Sequence, residues 1–307
     1  MEACFRKEPI ILPVSAGDGR FRMSAITAMT LQLAIICENT VGRPIPAYGE
    51  HGFACLVQTP AGTWLFDTGS GKTLLLNLSV LGHDAHKIDA VILSHGHYDH
   101  SGGLLPLLET VGPRPVYAHS QIFSERFWQG QHEQRDISMP NSRVELESAG
   151  ARFKLLDGLT ELAPGIHFSG AIPRFASLET GDPHLVRRSV DDKGWALDEF
   201  PDDAALAIAT SKGLVVLLGC AHSGLINTVE SFRKRLGSPR IHMIIGGTHL
   251  GPAGDEQFAA TLDYLTHLDF DRLGVSHCTG QIRSAQLYAR FPNKVFFANV
   301  GTTVKVA

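Results

Sequence analysis

The stretch His95-Gly96-His97-Tyr98-Asp99-His100 places four metal-competent side chains within six residues. On a helix these groups would scatter around the circumference; on a loop that follows a strand they can fold onto one point. Neutral imidazole and carboxylate are good ligands for zinc, iron or manganese. Gly96, Gly102 and Gly103 suit a tightly turning backbone. Such a loop can serve two cations about 3.5–4 Å apart, whose chemistry is to activate a water near neutral pH and to polarise an oxygen. The chain carries fifteen histidines, and their distribution matters more than their number, because many follow apolar, strand-like runs.

The elements that must position this loop are legible on both sides of it. Thr30–Glu38, Gly52–Thr59 and Thr63–Asp67 read as strands, the last two joined by the Pro60-Ala61-Gly62 turn. Gly71–Leu81 reads as a helix, and Ala90–Ser94 as a short buried strand that runs directly into the histidines. A helix is expected from Gly103 to Thr110 and a strand from Pro115 to Ala118. The second half repeats the style. Ala204–Thr210 and Gly213–Leu218 form a hairpin, Ser223–Leu236 a helix, Arg240–Ile245 a strand and Asp255–Leu268 an amphipathic helix. Strands at Arg272–Val275 and Lys294–Ala298 follow. Two similar halves of this kind predict two packed sheets with helices outside. Residues 1–29 read as an irregular N-terminal extension, with Met23 as an alternative start, and 30–307 as one domain. The polar stretch 120–203, which includes GDPHLVRRSVDDKG, reads as a lid-like excursion with a few strands of its own.

Composition sets outer bounds. The 307 residues are 44% hydrophobic and 19% charged, as in ordinary globular proteins. The net charge of −4 gives no general basic field, so nucleic acid is not an expected partner. Five cysteines, an odd number without a CxxC pair, fit a reducing cytoplasm better than a disulfide framework. No apolar run is long enough to span a membrane.

HGHYDHSGG resembles the signature of the metallo-β-lactamase superfamily, and LFDTG, which contains Asp67, resembles that superfamily's early motif. The resemblance implies an α+β, four-layer αββα sandwich holding two divalent metal ions, zinc above all. It casts Asp67 as a support behind the metal loop. GCAHSG aligns His222 with the third histidine of the first metal site, beside His95 and His97. SHCTG aligns His277 with the last histidine of the second site, beside Asp99 and His100. The chain departs from the pattern in one place. Many superfamily hydrolases carry an aspartate bridging both metals, whereas the matching strand here, IHMIIGG, ends in Thr248-His249. His249 can replace the bridge, bind one metal, or act as a proton carrier on substrate; Asp255 is a weaker source of the carboxylate.

The set EHGFACLV, LFDTG, SHGHYDHSGG, DDAALAI, GCAHSG, IIGGTHL and HCTG is similar to one branch of the superfamily. That branch is called 7,8-dihydropterin-6-methyl-4-(β-D-ribofuranosyl)aminobenzene-5′-phosphate synthase-like. It suggests Glu50 and His51, from EHG, as substrate-binding or proton-carrying groups. His184 in the excursion is a candidate substrate contact, and Arg187 and Arg188 a candidate phosphate clamp or a solvated pair. Cys220 and Cys278 adjoin ligand candidates; a thiolate is a good zinc ligand, but both are expected to pack in the core. His83, His86, His119, His132, His167, His242 and His267 are expected to be structural or superficial. The implied activity is metal-dependent hydrolysis, or a related transfer, of a small anionic substrate such as a phosphoester or a pterin-linked sugar phosphate, with Asp99 and His249 as catalytic residues. A nuclease on the same fold, or a di-iron redox or sensor protein, is the alternative. Against the di-iron class stands Tyr98, at a position where that class normally has an acidic residue.

Overall fold

Side chains alternate across each strand, and in this chain the alternation sorts residues into layers. In the strand Leu31–Cys37, Leu33 and Ile35 point into one apolar cluster while Ala34 and Ile36 point into another. In Ala205–Thr210, Leu206 and Ile208 join the first cluster and Ala205, Ala207 and Ala209 a third. The shared cluster lies between two sheets; it joins Phe53, Val57, Phe66 and Ile92 to Phe168, Leu217, Met243 and Ile245. The outer faces are covered by helices. Leu74 and Leu78, with Leu104, Leu107 and Leu108, pack on the first sheet. Leu225, Val229 and Phe232, with Phe258, Leu265 and Leu287, pack on the second. The architecture of this computed structural model is therefore the expected four-layer αββα sandwich. The described residues are 30–189, 194–238 and 240–306. The extension at 1–29, with Met23, lies outside them.

The first seven-stranded sheet runs in the order Thr303–Val306, Leu31–Cys37, Ala54–Thr59, Gly62–Phe66, Ala90–Ile92, Arg114–Ala118, Ala151–Leu155. The second runs Val295–Phe297, Phe270–Ser276, Ile241–Gly247, Gly213–Leu218, Ala205–Thr210, Ile166–Phe168, Thr160–Ala163. In each sheet, strands running in parallel end side by side: Phe66 beside Ile92 in the first, Leu218 beside Gly246 and Gly247 beside Ser276 in the second. These carboxyl ends carry Asp67, the His95 loop, Cys220 and His222, His249 and His277. Among the described residues no helix is long and apolar enough to cross a membrane.

The stretch 120–203 is more deeply woven into the fold than its polarity suggests. Ala151–Leu155 is the edge of the first sheet, and Thr160–Ala163 with Ile166–Phe168 extends the second. Ala151–Leu155 and Thr160–Ala163 are edge strands with a partly exposed face, so they read as polar, whereas Ile166–Phe168 is buried between two neighbours. Only the remainder forms a separate four-stranded sheet, in the order Trp195–Leu197, Leu185–Arg188, Phe127–Gln129, Gln134–Asp136. Two terminal elements gave little signal in the sequence. Helix Gln281–Arg290 buries only Ser284 and Leu287, and the strand Thr303–Val306 is four residues long.

Candidate metal centre

The loop after Ile92 is held by buried charge. Asp67, at φ 58° and wholly buried, accepts from the Ser94 amide and hydroxyl, each at 2.7 Å. Its Oδ2 also faces His100 Nδ1 at 2.7 Å. On the other side Asp202 accepts from the Gly96 amide at 2.9 Å and is paired with Arg126. Arg126, itself 1% exposed, also donates to Asp198 at 2.8 Å. The glycines serve close approach rather than the expected tight turning, since none of the three has a left-handed φ. A Cβ on Gly96 would stand 2.0 Å from Ile122 O, and one on Gly103 2.1 Å from Thr68 O.

Two groups of ligand atoms result. His95 Nε2 lies 3.0 Å from His97 Nδ1 and 3.2 Å from His222 Nε2. His100 Nε2 lies 3.2 Å from His277 Nε2, whose ring is 3.3 Å from Asp99 Oδ2. Outer bonds fix the tautomers. A carboxylate has no proton to give, so His100 Nδ1 donates to Asp67. His277 Nδ1 donates to Asn39 Oδ1 at 2.9 Å, an oxygen that also accepts from the Gly52 amide. Ser94 Oγ, having given its hydrogen to Asp67, accepts from His95 Nδ1 at 2.8 Å. In their neutral forms His95, His100 and His277 therefore all turn a bare Nε2 lone pair inward. His100 and His277 turn these nitrogens toward each other across 3.2 Å, a gap in which a shared proton or a cation can stand. Ligands about 2.0–2.1 Å from a tetrahedral metal stand about 3.3 Å apart, so both groups have the spacing a divalent ion imposes.

Electrostatics divides the rings into two kinds. Burial, then the neighbouring histidines, depresses His95 and His222 well below the usual imidazole range; burial likewise depresses His97. These are neutral rings with lone pairs to share. His100 behaves differently: burial opposes its charge, but Asp67 and Asp99 outweigh burial and raise it to about 9. Asp99 resists burial through His100, His277 and His51 and stays well below the usual carboxylate range.

The remaining candidates separate clearly. His51, with a side chain 61% exposed, reaches Asp99 Oδ2 at 3.2 Å and sits 5.0 Å from the His277 ring. His249 adopts φ 50°, and its ring lies 4.3 Å from that of His222. Its Nε2 faces Asp182 at 3.5 Å. Asp182, then Cys278, overcomes burial and raises His249 to about 9. His222 and His249 line a cavity of about 340 Å³ whose walls include Glu179, Asp182 and Glu256. Glu50 does not face the centre as expected. Its carboxylate accepts from the amides of Ser70, Lys72 and Thr73 and from the Ser70 hydroxyl, the donors left open where helix Leu74–Val80 begins. His184 is likewise directed elsewhere: its Nδ1 meets Gln129 O at 2.9 Å and its ring stacks on Trp128. Asp255 is exposed and paired with Arg283. Arg188 lies over the Trp195 ring, not in a phosphate clamp. Arg126, Asp198, Asp202, Glu38, Asn39 and Asp182 support the site without a motif in the sequence that marks them individually. For Glu38 and Asn39 the available signal was a polar pair directly after a buried strand; Glu38 accepts from the His277 amide at 2.7 Å.

Residues 47–199 match the sequence pattern of the family described as the Metallo-beta-lactamase superfamily. The chain belongs to that superfamily. One similar relative is the 7,8-dihydropterin-6-methyl-4-(β-D-ribofuranosyl)-aminobenzene-5′-phosphate synthase of Methanocaldococcus jannaschii. It is 28% identical over 258 residues, covering 81% of this chain and 88% of the relative. Among solved structures, a metal-dependent hydrolase of the β-lactamase superfamily (Tm1679) has a TM-score of 0.76 at 24% identity, over 90% of this chain and 99% of that one. Zinc-bound PqqB from Methylobacterium extorquens has a TM-score of 0.55 at 15% identity, over 90% and 100% of the two chains. These two share the superfamily's sandwich with this chain.

Proposed function

We propose that the protein is a metal-dependent hydrolase of a small anionic substrate, with two divalent ions held by His95, His97 and His222 and by Asp99, His100 and His277. The observation that carries this reading is the pair of inward-facing lone pairs on His100 and His277, 3.2 Å apart, each fixed from behind by an acceptor. Divalent ions in such a centre supply Lewis acidity toward an anionic oxygen and acidify the water that attacks.

The chain's own residues then have separate tasks. Asp99, tied to His51 and His277, presents a carboxylate that accepts a hydrogen bond from the attacking water and fixes its direction. His249 holds a proton against Asp182 at the edge of the cavity and delivers it to the departing oxygen. Both His249 ring nitrogens are buried, and Asp182 Oδ2 stands 3.5 Å from Nε2. The cavity wall carries Glu179, Asp182 and Glu256 and no lysine or arginine. It suits the donor-bearing, non-anionic part of a substrate, while the anionic part belongs at the metals.

The similarity to a synthase favours a second reading, in which a pterin-linked sugar phosphate undergoes metal-assisted transfer at the same centre. The two readings differ in acceptor: water in the first, an organic nucleophile in the second. The test is turnover on a panel of phosphoesters, lactones and aryl ribosyl phosphates, before and after chelation and in His97→Ala. Loss of turnover in both, with return on adding zinc to the chelated wild type, is the expected result. Retained turnover in both ends the metal-dependent reading.

A further inference from the structure

Outer hydrogen bonds fix three of the histidine rings at the centre: Ser94 holds His95, Asp67 holds His100 and Asn39 holds His277. His97 and His222 have no such hold. His97 Nε2 is buried without a hydrogen-bond partner, and His222 meets no outer acceptor among the described residues. Both rings instead meet Phe200. Its ring stacks on His222, with 4.1 Å between centroids and 8° between planes, and stands edge-on to His97 at 5.2 Å and 90°. His95 is farther off, at 6.5 Å. The two rings that lack an outer hydrogen bond are the two against which this aromatic side chain packs most closely.

Phe200 is held there against its local preference. It has φ 49°, although it precedes Pro201, where extended backbone is favoured. A residue other than glycine stays in the left-handed region only where its surroundings enforce it. Here they do. Phe200 is 3% exposed, its amide donates to Asp198 Oδ1 at 2.8 Å, and its carbonyl accepts from the Asp203 amide at 3.1 Å. The Arg126 guanidinium lies 5.2 Å from its ring centre. Two aspartates then reach to opposite sides of the centre. Asp202 accepts from the Gly96 amide, between His95 and His97, and Asp203 from the Ser223 amide, beside His222, at 2.7 Å. The turn 198–203 therefore grips the loop and the strand end at once and carries Phe200 between them.

We infer, on the dinuclear reading above, that Phe200 is a positioning residue for the first metal group: its ring sets the planes of His97 and His222, the task that hydrogen bonds perform for His95, His100 and His277. An imidazole lone pair lies in the ring plane, so a ring free to rotate loses its aim. A flat neighbour stacked on the face stops that rotation. The ring contacts of Phe200 are with His95, His97 and His222, not with His100 or His277. Its effect therefore falls on one ion of the two.

The test compares the wild type with Phe200→Leu, which keeps an apolar side chain but has no flat face. Zinc is titrated into each full chain against a chromophoric chelator. One of the two zinc ions is expected to bind about 10–100-fold more weakly in the variant, and the other as before. A second readout needs no metal: NMR of ring-labelled histidines in the metal-free protein. In the wild type the His222 ring protons should be shifted by the Phe200 ring current and show a nuclear Overhauser contact with it. In the variant the His97 and His222 resonances should move while those of His100 and His277 stay. Equal weakening of both ions marks a merely structural role and would overturn the inference, as would unchanged zinc affinity. Wild-type spectra without the Phe200–His222 contact would also overturn it, and that measurement decides even where Phe200→Leu does not fold. A wild type that binds no zinc would overturn the dinuclear reading, and the inference with it.

Discussion

The two sides of the centre are built differently. The His95–His100 loop gathers four ligand candidates in contiguous sequence and holds them with buried charge: Asp67 behind His100 and Ser94, and Asp202 with Arg126 behind Gly96. On the other side, Cys220, His222, His249 and His277 come from the ends of three neighbouring strands, Gly213–Leu218, Ile241–Gly247 and Phe270–Ser276. There the aim comes from backbone: Ala221, His249 and His277 all have φ near 50–55°. Such left-handed residues other than glycine cost roughly 1–3 kcal/mol each and persist where surrounding structure enforces them. The loop side combines one left-handed residue, Asp67, with several buried charges; the strand-end side combines three such residues with sheet register and the support of Glu38 and Asn39.

If that contrast holds, the loop side should break through charge. Arg126→Met leaves Asp198 and Asp202 buried without a counter-ion and should cost about 3–5 kcal/mol of stability, read by denaturant unfolding. A loss under about 1 kcal/mol would show that the buried ion pairs do not hold the loop.

Asp67→Asn keeps a residue that tolerates φ 58° but removes the charge behind His100. Metal affinity should fall about 10–100-fold with little change in fold, measured by competition with a chromophoric chelator. Unchanged affinity would remove Asp67 from the account of the centre.

The strand-end side carries a pH signature of its own. Burial, opposed by the amides of Asn227 and Ile226, raises Glu179 from its ordinary 4.5 to about 7. The folded state thus holds this proton more tightly than the unfolded chain does. Its contribution to stability is full below about pH 4.5 and is lost as pH rises through about 7. Glu179→Gln should flatten the stability profile over that window in pH-dependent thermal melts. An identical slope in the variant would contradict the assignment.

The smallest effect is expected at His184. With its ring on Trp128 and Gln129, His184→Ala should change kcat/KM by less than about twofold, an energy difference of a few tenths of a kcal/mol. A tenfold loss would return it to the substrate site.

The same contrast explains what the sequence makes legible. His95 to His100 are readable because their chemistry is contiguous. His222 and His277 are readable because each closes an apolar strand, although only the family resemblance links them to the loop. The four layers follow from strand alternation and two similar halves. Glu50 and His184 show the limit. Both are polar residues near motif positions, and the sequence does not disclose that one meets the open amides ahead of helix Leu74–Val80 and the other stacks on Trp128. Arg126 shows the reverse: a lone arginine in a polar stretch gives no hint that three-dimensional closure buries it between two aspartates.

The central claim is most directly tested by anomalous diffraction at the zinc edge from a crystal of the zinc-loaded protein. Two peaks are predicted, one within bonding distance of His95, His97 and His222 and the other of Asp99, His100 and His277. A fully loaded crystal with no peak at these residues, or with zinc bound only elsewhere, would contradict the account.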